Sequence, residues 1–232
     1  MNMTRHLLPK DALFELSGID CKASNINYDA AGRFMANLEH LSLREGQHDF
    51  YLTHLGGKIE GDTTWVSLPN FRVVTPNSQL KASLTADFSA FQPTGKGRFS
   101  LKGQTSIGMV DVLAVLKPHV SATQYRQMAE MSWKLMGGNP VEVQVTAEGN
   151  MRHLAVQRAT LGVSGLAQVA LDGFVRNAMD KGRSGTFNFS FRSQSSQRIR
   201  PLLPHDLAQT FQLPDGLAAL GHLQFDGTDY RT

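Results

Sequence analysis

Apolar and polar residues alternate with a period of two along most of the chain. Phe34, Ala36 and Leu38 stand between Arg33, Met35 and Asn37. Leu80, Ala82, Leu84 and Ala86 alternate with polar residues up to Asp87, and Val141, Val143 and Val145 with Glu142, Gln144 and Thr146. Phe187, Phe189 and Phe191 flank Asn188 and Ser190, and Val169 with Leu171, then Leu223 with Phe225, continue the pattern. Such alternation marks strands with one buried and one wet face, a pattern that favours antiparallel over parallel sheet. It predicts about a dozen strands, joined by turns at Gly56-Gly57, Thr94-Gly-Lys-Gly97 and Asp226-Gly227.

Two stretches change period. Over 108–117, Met109, Val112, Leu113 and Leu116 share a helical face, with Asp111 in the first turn and Pro118 beyond the end. Over 121–136, Ser121 is a suitable N-cap, Gln124 completes a capping box, and Gly137-Gly-Asn-Pro140 stops the helix. Shorter helical turns are expected near 196–203 and 206–212, the second capped by Asp206.

The strand sets also recur. Phe99-Ser-Leu-Lys-Gly-Gln-Thr-Ser106 aligns with Phe189-Ser-Phe-Arg-Ser-Gln-Ser-Ser196 at an offset of 90, and each precedes a helical stretch ending in Pro118-His119 or Pro204-His205. Approximate units of 55–140 and 141–225 describe one elongated β-rich segment over 1–232. The strand set beginning after Asp226-Gly227 has only five residues, which suggests a segment of a longer protein.

Composition narrows the class. The 232 residues are 41% hydrophobic and 19% charged, enough for a substantial core and unlike a disordered chain. The longest apolar runs, such as Val112–Leu116, are too short to span a bilayer. A single cysteine, Cys21, leaves no internal disulfide and no cysteine-built zinc site. The net charge of +3 does not indicate a nucleic-acid partner.

Candidate chemistry is sparse. His48 and His54 are six apart, while His40, His119, His153, His205 and His222 read as solitary, so no metal-ligand spacing stands out. Gly162-Val-Ser164-Gly165 lacks the spacing of a nucleophile elbow, and Cys21 has no local histidine partner. Gln92-Pro-Thr-Gly-Lys-Gly97 lacks the first glycine and the final hydroxyl of a phosphate loop. Glu142 and Glu148 share no evident apolar pocket. The Phe187/Phe189/Phe191 strand has the shared face that base stacking requires, but the second aromatic strand and the βαββαβ order of an RNA-recognition module are missing, and the strand reads as three phenylalanines inside a β core. No catalytic residue, metal site or cofactor is therefore assigned. Lys96, Arg98, Lys102, Arg183, Arg192, Arg198 and Arg200 either form a solvated rim on the loops or a patch that touches anionic head groups.

A sheet this long has two large faces, and helices over 108–136 can cover only part of one. Curled into a trough, its apolar face could hold acyl chains; folded on itself, it would be a closed sandwich. Alternation alone leaves both open.

Leu68-Pro-Asn-Phe-Arg-Val-Val-Thr-Pro-Asn-Ser-Gln-Leu-Lys-Ala-Ser-Leu-Thr-Ala-Asp87, then Gly97-Arg-Phe-Ser-Leu-Lys-Gly-Gln-Thr-Ser106 and the helices, resemble the middle of a TamB protein. So do Pro140–Leu154 and the Ser/Gln-rich turn before Leu202-Leu-Pro204. These translocation and assembly module proteins belong to the wider AsmA-like superfamily. The resemblance spans essentially the whole chain and rests on strand-and-turn texture. It implies a mainly β fold, a long curved antiparallel sheet with a taco-like hydrophobic groove. It also implies a periplasmic location, an inner-membrane anchor, and a C-terminal region that meets outer-membrane assembly proteins. The implied activity is carriage of phospholipid between the membranes, linked to outer-membrane biogenesis; the alternative is a scaffold for outer-membrane protein insertion that docks partners by strand edges without carrying lipid. Neither the anchor nor the C-terminal region is recognisable here, so the chain is expected to be an internal fragment. No catalytic residues carry over. The groove candidates are Leu80, Leu84, Phe99, Leu101, Val143, Val145, Val169, Leu171, Phe187, Phe189 and Phe191, positioned to contact acyl chains.

Overall fold

In an antiparallel meander every strand takes its backbone partners from its neighbours in sequence, and this chain follows that rule from end to end. The structure, a computed structural model, describes residues 3–4, 15–46, 50–93, 95–200, 216–227 and 229–231. Thirteen strands form one curved sheet in sequential order. They are β1 Met3–Thr4, β2 Glu15–Tyr28, β3 Phe34–Glu45, β4 Phe50–Gly61, β5 Trp65–Val74, β6 Gln79–Asp87 and β7 Phe99–Ile107. After the helices come β8 Val141–Gly149, β9 His153–Val163, β10 Ala167–Arg176, β11 Ser184–Ser193, β12 Ala218–Asp226 and β13 Asp229–Arg231. Among the described residues no second sheet lies across it, so the closed-sandwich alternative does not hold.

The helices are α1 Met109–Leu116, α2 Ala122–Met136 and the single turn α3 Ser196–Ile199. Pro118 lies in a 3-10 turn, Lys117–His119, that ends the first helical stretch. Ser121 accepts from the Gln124 backbone N–H while the Gln124 side chain accepts from the Ser121 N–H, the reciprocal cap expected from the sequence. Gly137 closes α2 in the left-handed region at φ 57°. The helical turn expected near 206–212 lies outside the described residues, as does the end of the one near 196–203.

Turn chemistry matches the hairpins at one end of the sheet. Asp29, Asp62 and Asn150 each accept backbone N–H groups two to four residues on, closing β2–β3, β4–β5 and β8–β9. Asp226-Gly227 joins β12 to β13 as expected. Gly56-Gly57 is not a turn: both glycines lie inside β4. Leu38 faces Gly57, and a Cβ at residue 57 would stand 2.8 Å from the Asn70 carbonyl oxygen of β5. These glycines let three backbones approach beside a register shift rather than reversing the chain.

Leucine spacing supports the same conclusion. Leu38 and Leu41, and Leu52 and Leu55, are three apart, which would put each pair on opposite faces of a regular strand. Register shifts occur between Leu38 and Leu41 and between Leu41 and Leu43, so Leu41 faces Leu55 and Leu43 faces Leu52. The bulges re-phase the alternation and keep the leucines together.

Helix α1 packs against β4 and α2 and is tethered by Asp111. Ser78 Oγ donates to Asp111 Oδ2 at 2.5 Å and Asn77 Nδ2 to Oδ1 at 2.9 Å; the Thr75 hydroxyl also donates to Oδ2. Partial burial opposes ionisation of Asp111, but the hydrogen bonds from Ser78, Thr75 and Asn77 outweigh it and hold the carboxyl below its ordinary value of 3.8. A depressed folded pKa means that this stabilisation is whole at neutral pH and is lost as pH falls through the folded value. Asp111→Ala should therefore cost about 1–2 kcal/mol at pH 7 in urea unfolding. Its deficit relative to the wild type should shrink below about pH 4.

Candidate functional site

Pairing register decides which side chains share a face, and it places all eleven groove candidates on the same one. Four rows run across β5–β12, each linked by direct cross-strand pairs. The first is Val73, Leu80, Thr105, Val143, Leu161, Val169, Phe191 and Ala219. The second is Phe71, Ala82, Gly103, Val145, Ala159, Leu171, Phe189 and Gly221. The third is Leu68, Leu84, Leu101, Ala147, Val156, Gly173, Phe187 and Leu223. The fourth is Val66, Ala86, Phe99, Gly149, Leu154, Val175, Gly185 and Phe225. Thr105 is the one polar residue in these rows. With neighbouring strands about 4.8 Å apart, eight strands make an apolar face roughly 34 Å wide.

Among the described residues, the ends of this face are covered and its middle is open. At one end, Ala90 from the 3-10 turn Phe88–Phe91 packs with Ala86, Phe99 and Ala147, and Leu84, Leu101 and Val145 pack around them. The Phe91 ring stacks on Phe99 with centroids 5.3 Å apart. At the other end, Met136 from α2 and Leu166 from the β9–β10 turn pack with Val141, Val163, Ala167 and Phe191. Between these clusters Leu161 is 52% exposed, Val169 38% and Phe189 37%. Large aliphatic and aromatic side chains part-exposed in mid-sheet are what a single layer leaves where nothing among the described residues covers it.

Glycines set the depth of this surface. A Cβ at Gly221 would fall on the Phe189 ring, one at Gly173 would stand 2.7 Å from the Phe187 ring, and one at Gly185 would stand 2.8 Å from the Phe225 ring. The rings therefore lie over the neighbouring strand and pave the floor instead of standing up from it. Phe187 and Phe225 are nearly parallel, 6.2 Å apart.

The opposite face is mainly polar, with Phe174 and Leu220 as exposed apolar exceptions. Asn188 donates to Asp172 at 2.9 Å and its side-chain oxygen meets His222 Nδ1 at 3.0 Å, joining β10, β11 and β12. Ser106 donates to Glu142 at 2.8 Å and Gln157 to Glu148 at 2.8 Å. His40 is not solitary: its Nδ1 lies 3.1 Å from that of His54, and Asp20 stands 3.8 Å from its Nε2. The spacing of His48 and His54 gives no site, and His40 meets His54 across the β3–β4 bulges, 14 residues away. The basic residues do not gather on equivalent loops: Lys102 lies in β7 and Arg192 in β11.

Among the described residues no three His, Cys, Asp or Glu side chains gather as metal ligands, and no helix is long and apolar enough to cross a membrane. No protein-family model, no curated protein and no solved structure matches the chain.

Gly221→Ala should displace the Phe189 ring and cost about 1–3 kcal/mol in urea unfolding. In the Phe189→Ala background the same glycine substitution should cost much less, because the ring it strikes is gone.

Proposed function

We propose that this chain is a stretch of a lipid-carrying groove of the TamB kind, whose apolar face holds phospholipid acyl chains. One observation carries the reading: an apolar face about 34 Å wide is covered at its ends and open around Leu161, Val169 and Phe189. Half the hydrocarbon core of a bilayer is about 15 Å thick, so a leaflet-length chain fits across only a few strands. Each methylene that leaves water contributes roughly 0.8 kcal/mol, a drive that requires no catalytic group. In this reading the protein works in the periplasm. Regions outside this chain tie it to the inner membrane and to outer-membrane assembly proteins.

The competing reading is a scaffold that docks partners along a strand edge without carrying lipid. It is favoured by β2: among the described residues its outer edge is paired only where Met3 and Thr4 meet Leu16 and Glu15, and Ile26 is 74% exposed. That edge is broken, however, by register shifts at Ser17/Asp20, Lys22/Ala23 and Ser24/Asn27, with Asn25 at φ 52°. A bulged edge makes a poor template for strand addition.

Purified chain examined by native mass spectrometry should retain phospholipid, and photo-crosslinkers at Leu161, Val169 and Phe189 should label it. Crosslinkers at the polar positions Gln168, Asn188 and Ser190 should not. Labelling from the polar positions alone, or protein free of lipid that captures strand peptides along β2, would favour the scaffold.

A further inference from the structure

Lysines on the polar face of β2–β4 stand beside acids: Lys22 is 2.6 Å from Glu39 and Lys58 is 2.6 Å from Glu60. In mid-sheet that pattern fails. Arg72 of β5 and Lys81 of β6 are direct cross-strand partners, and Lys102 of β7 sits diagonal to Lys81, whose own partner is Gln104. Directly opposed like charges repel, and diagonal positions lie about 7–8 Å apart. Among the described residues none of these three cations has an ion pair. Together with Gln104, Gln144 and Thr146, and with the intervening Phe71, Ala82, Gly103 and Val145, they line a depression of about 560 Å³ that no carboxylate lines. The acids of the neighbouring rows stand on β8: Glu148 is diagonal to Lys102 and accepts from Gln157, and Glu142 is diagonal to Gln104 and accepts from Ser106.

Two cations opposite each other and a third on the diagonal outnumber the one diagonal carboxylate, Glu148, and leave a deficit of negative charge at that point. A phosphate-class anion supplies it: its oxygens accept from guanidinium, ammonium and amide donors at once, and a diphosphate reaches across the diagonal separation. We infer that the Arg72/Lys81/Lys102 depression is a binding site for phosphate groups. Arg72, Lys81 and Lys102 alternate with the trough residues Phe71, Ala82 and Gly103, so the three cationic side chains rise from the opposite face and do not hold the head group of a lipid lying in the trough. The inference is independent of the proposed function. Free phosphorylated molecules and the phosphates of a membrane surface share this chemistry.

Inorganic pyrophosphate is titrated into the full chain by calorimetry at low ionic strength, beside co-sedimentation with phosphatidylglycerol and with phosphatidylcholine vesicles. Lys81→Gln and Lys102→Gln should each weaken binding about tenfold or more. Lys134→Gln, the same charge change on α2, should leave it unchanged. Without anion, Lys81→Gln should raise the melting temperature by removing the repulsion, and it should abolish the rise that pyrophosphate gives the wild type. Lys102→Gln, which lacks a directly opposed cation, provides a second test if Lys81→Gln folds poorly. Binding of pyrophosphate assigns the site to free phosphates; binding of phosphatidylglycerol vesicles alone, with the same dependence on Lys81 and Lys102, assigns it to a membrane surface. Failure to bind either, or binding that all three variants reduce equally, would overturn the inference.

Discussion

Cross-strand register is the constraint on which the rest of this molecule depends. In a layered fold a misplaced side chain can still be held by the layer opposite. Here no described second sheet exists, and a slip of one residue would turn an entire strand's apolar set toward the polar face. Four rows cross eight strands with a single polar interruption, Thr105, despite register shifts in β5 and β9. Bulges are usually read as local defects. In β3, β4, β5 and β9 they instead restore the phase that irregular spacing would lose.

The helical segments contribute through their position at the ends of the strands. Asp111 fixes α1 to the β5–β6 turn, α2 brings Met136 onto Val163 and Leu166, and the short turn after β6 brings Ala90 and Phe91 onto Phe99. The covering is thus concentrated at the two ends, where the chain leaves the sheet. The middle is left to Leu161, Val169 and Phe189, with the rings laid flat over glycines.

Much of this was legible in the sequence because alternation and capping are local. Val141-Glu-Val-Gln-Val-Thr146 is a strand with one apolar face in any context, and Ser121 with Gln124 caps a helix from three residues away. The shared face of the eleven groove candidates followed from the same period once antiparallel pairing joined neighbouring strands. Features set by partners distant in sequence were not legible. Gly56-Gly57 carries the composition of a turn, but the close approach of β3 and β5 makes it strand interior. His40 and His54 meet only because the bulges in β3 and β4 oppose each other, and Arg72 becomes Lys81's neighbour only through the β5–β6 register.

The proposed binding of acyl chains belongs to the apolar face around Leu161, Val169 and Phe189 and not to the face opposite. Methyl-resolved NMR with a phospholipid that carries a nitroxide midway along one acyl chain tests this directly. The account predicts strong broadening of the methyl signals of Leu161, Val169 and Leu171, with the Leu220 methyls on the polar face little affected. Equal broadening on both faces, or broadening confined to Leu220, would contradict it.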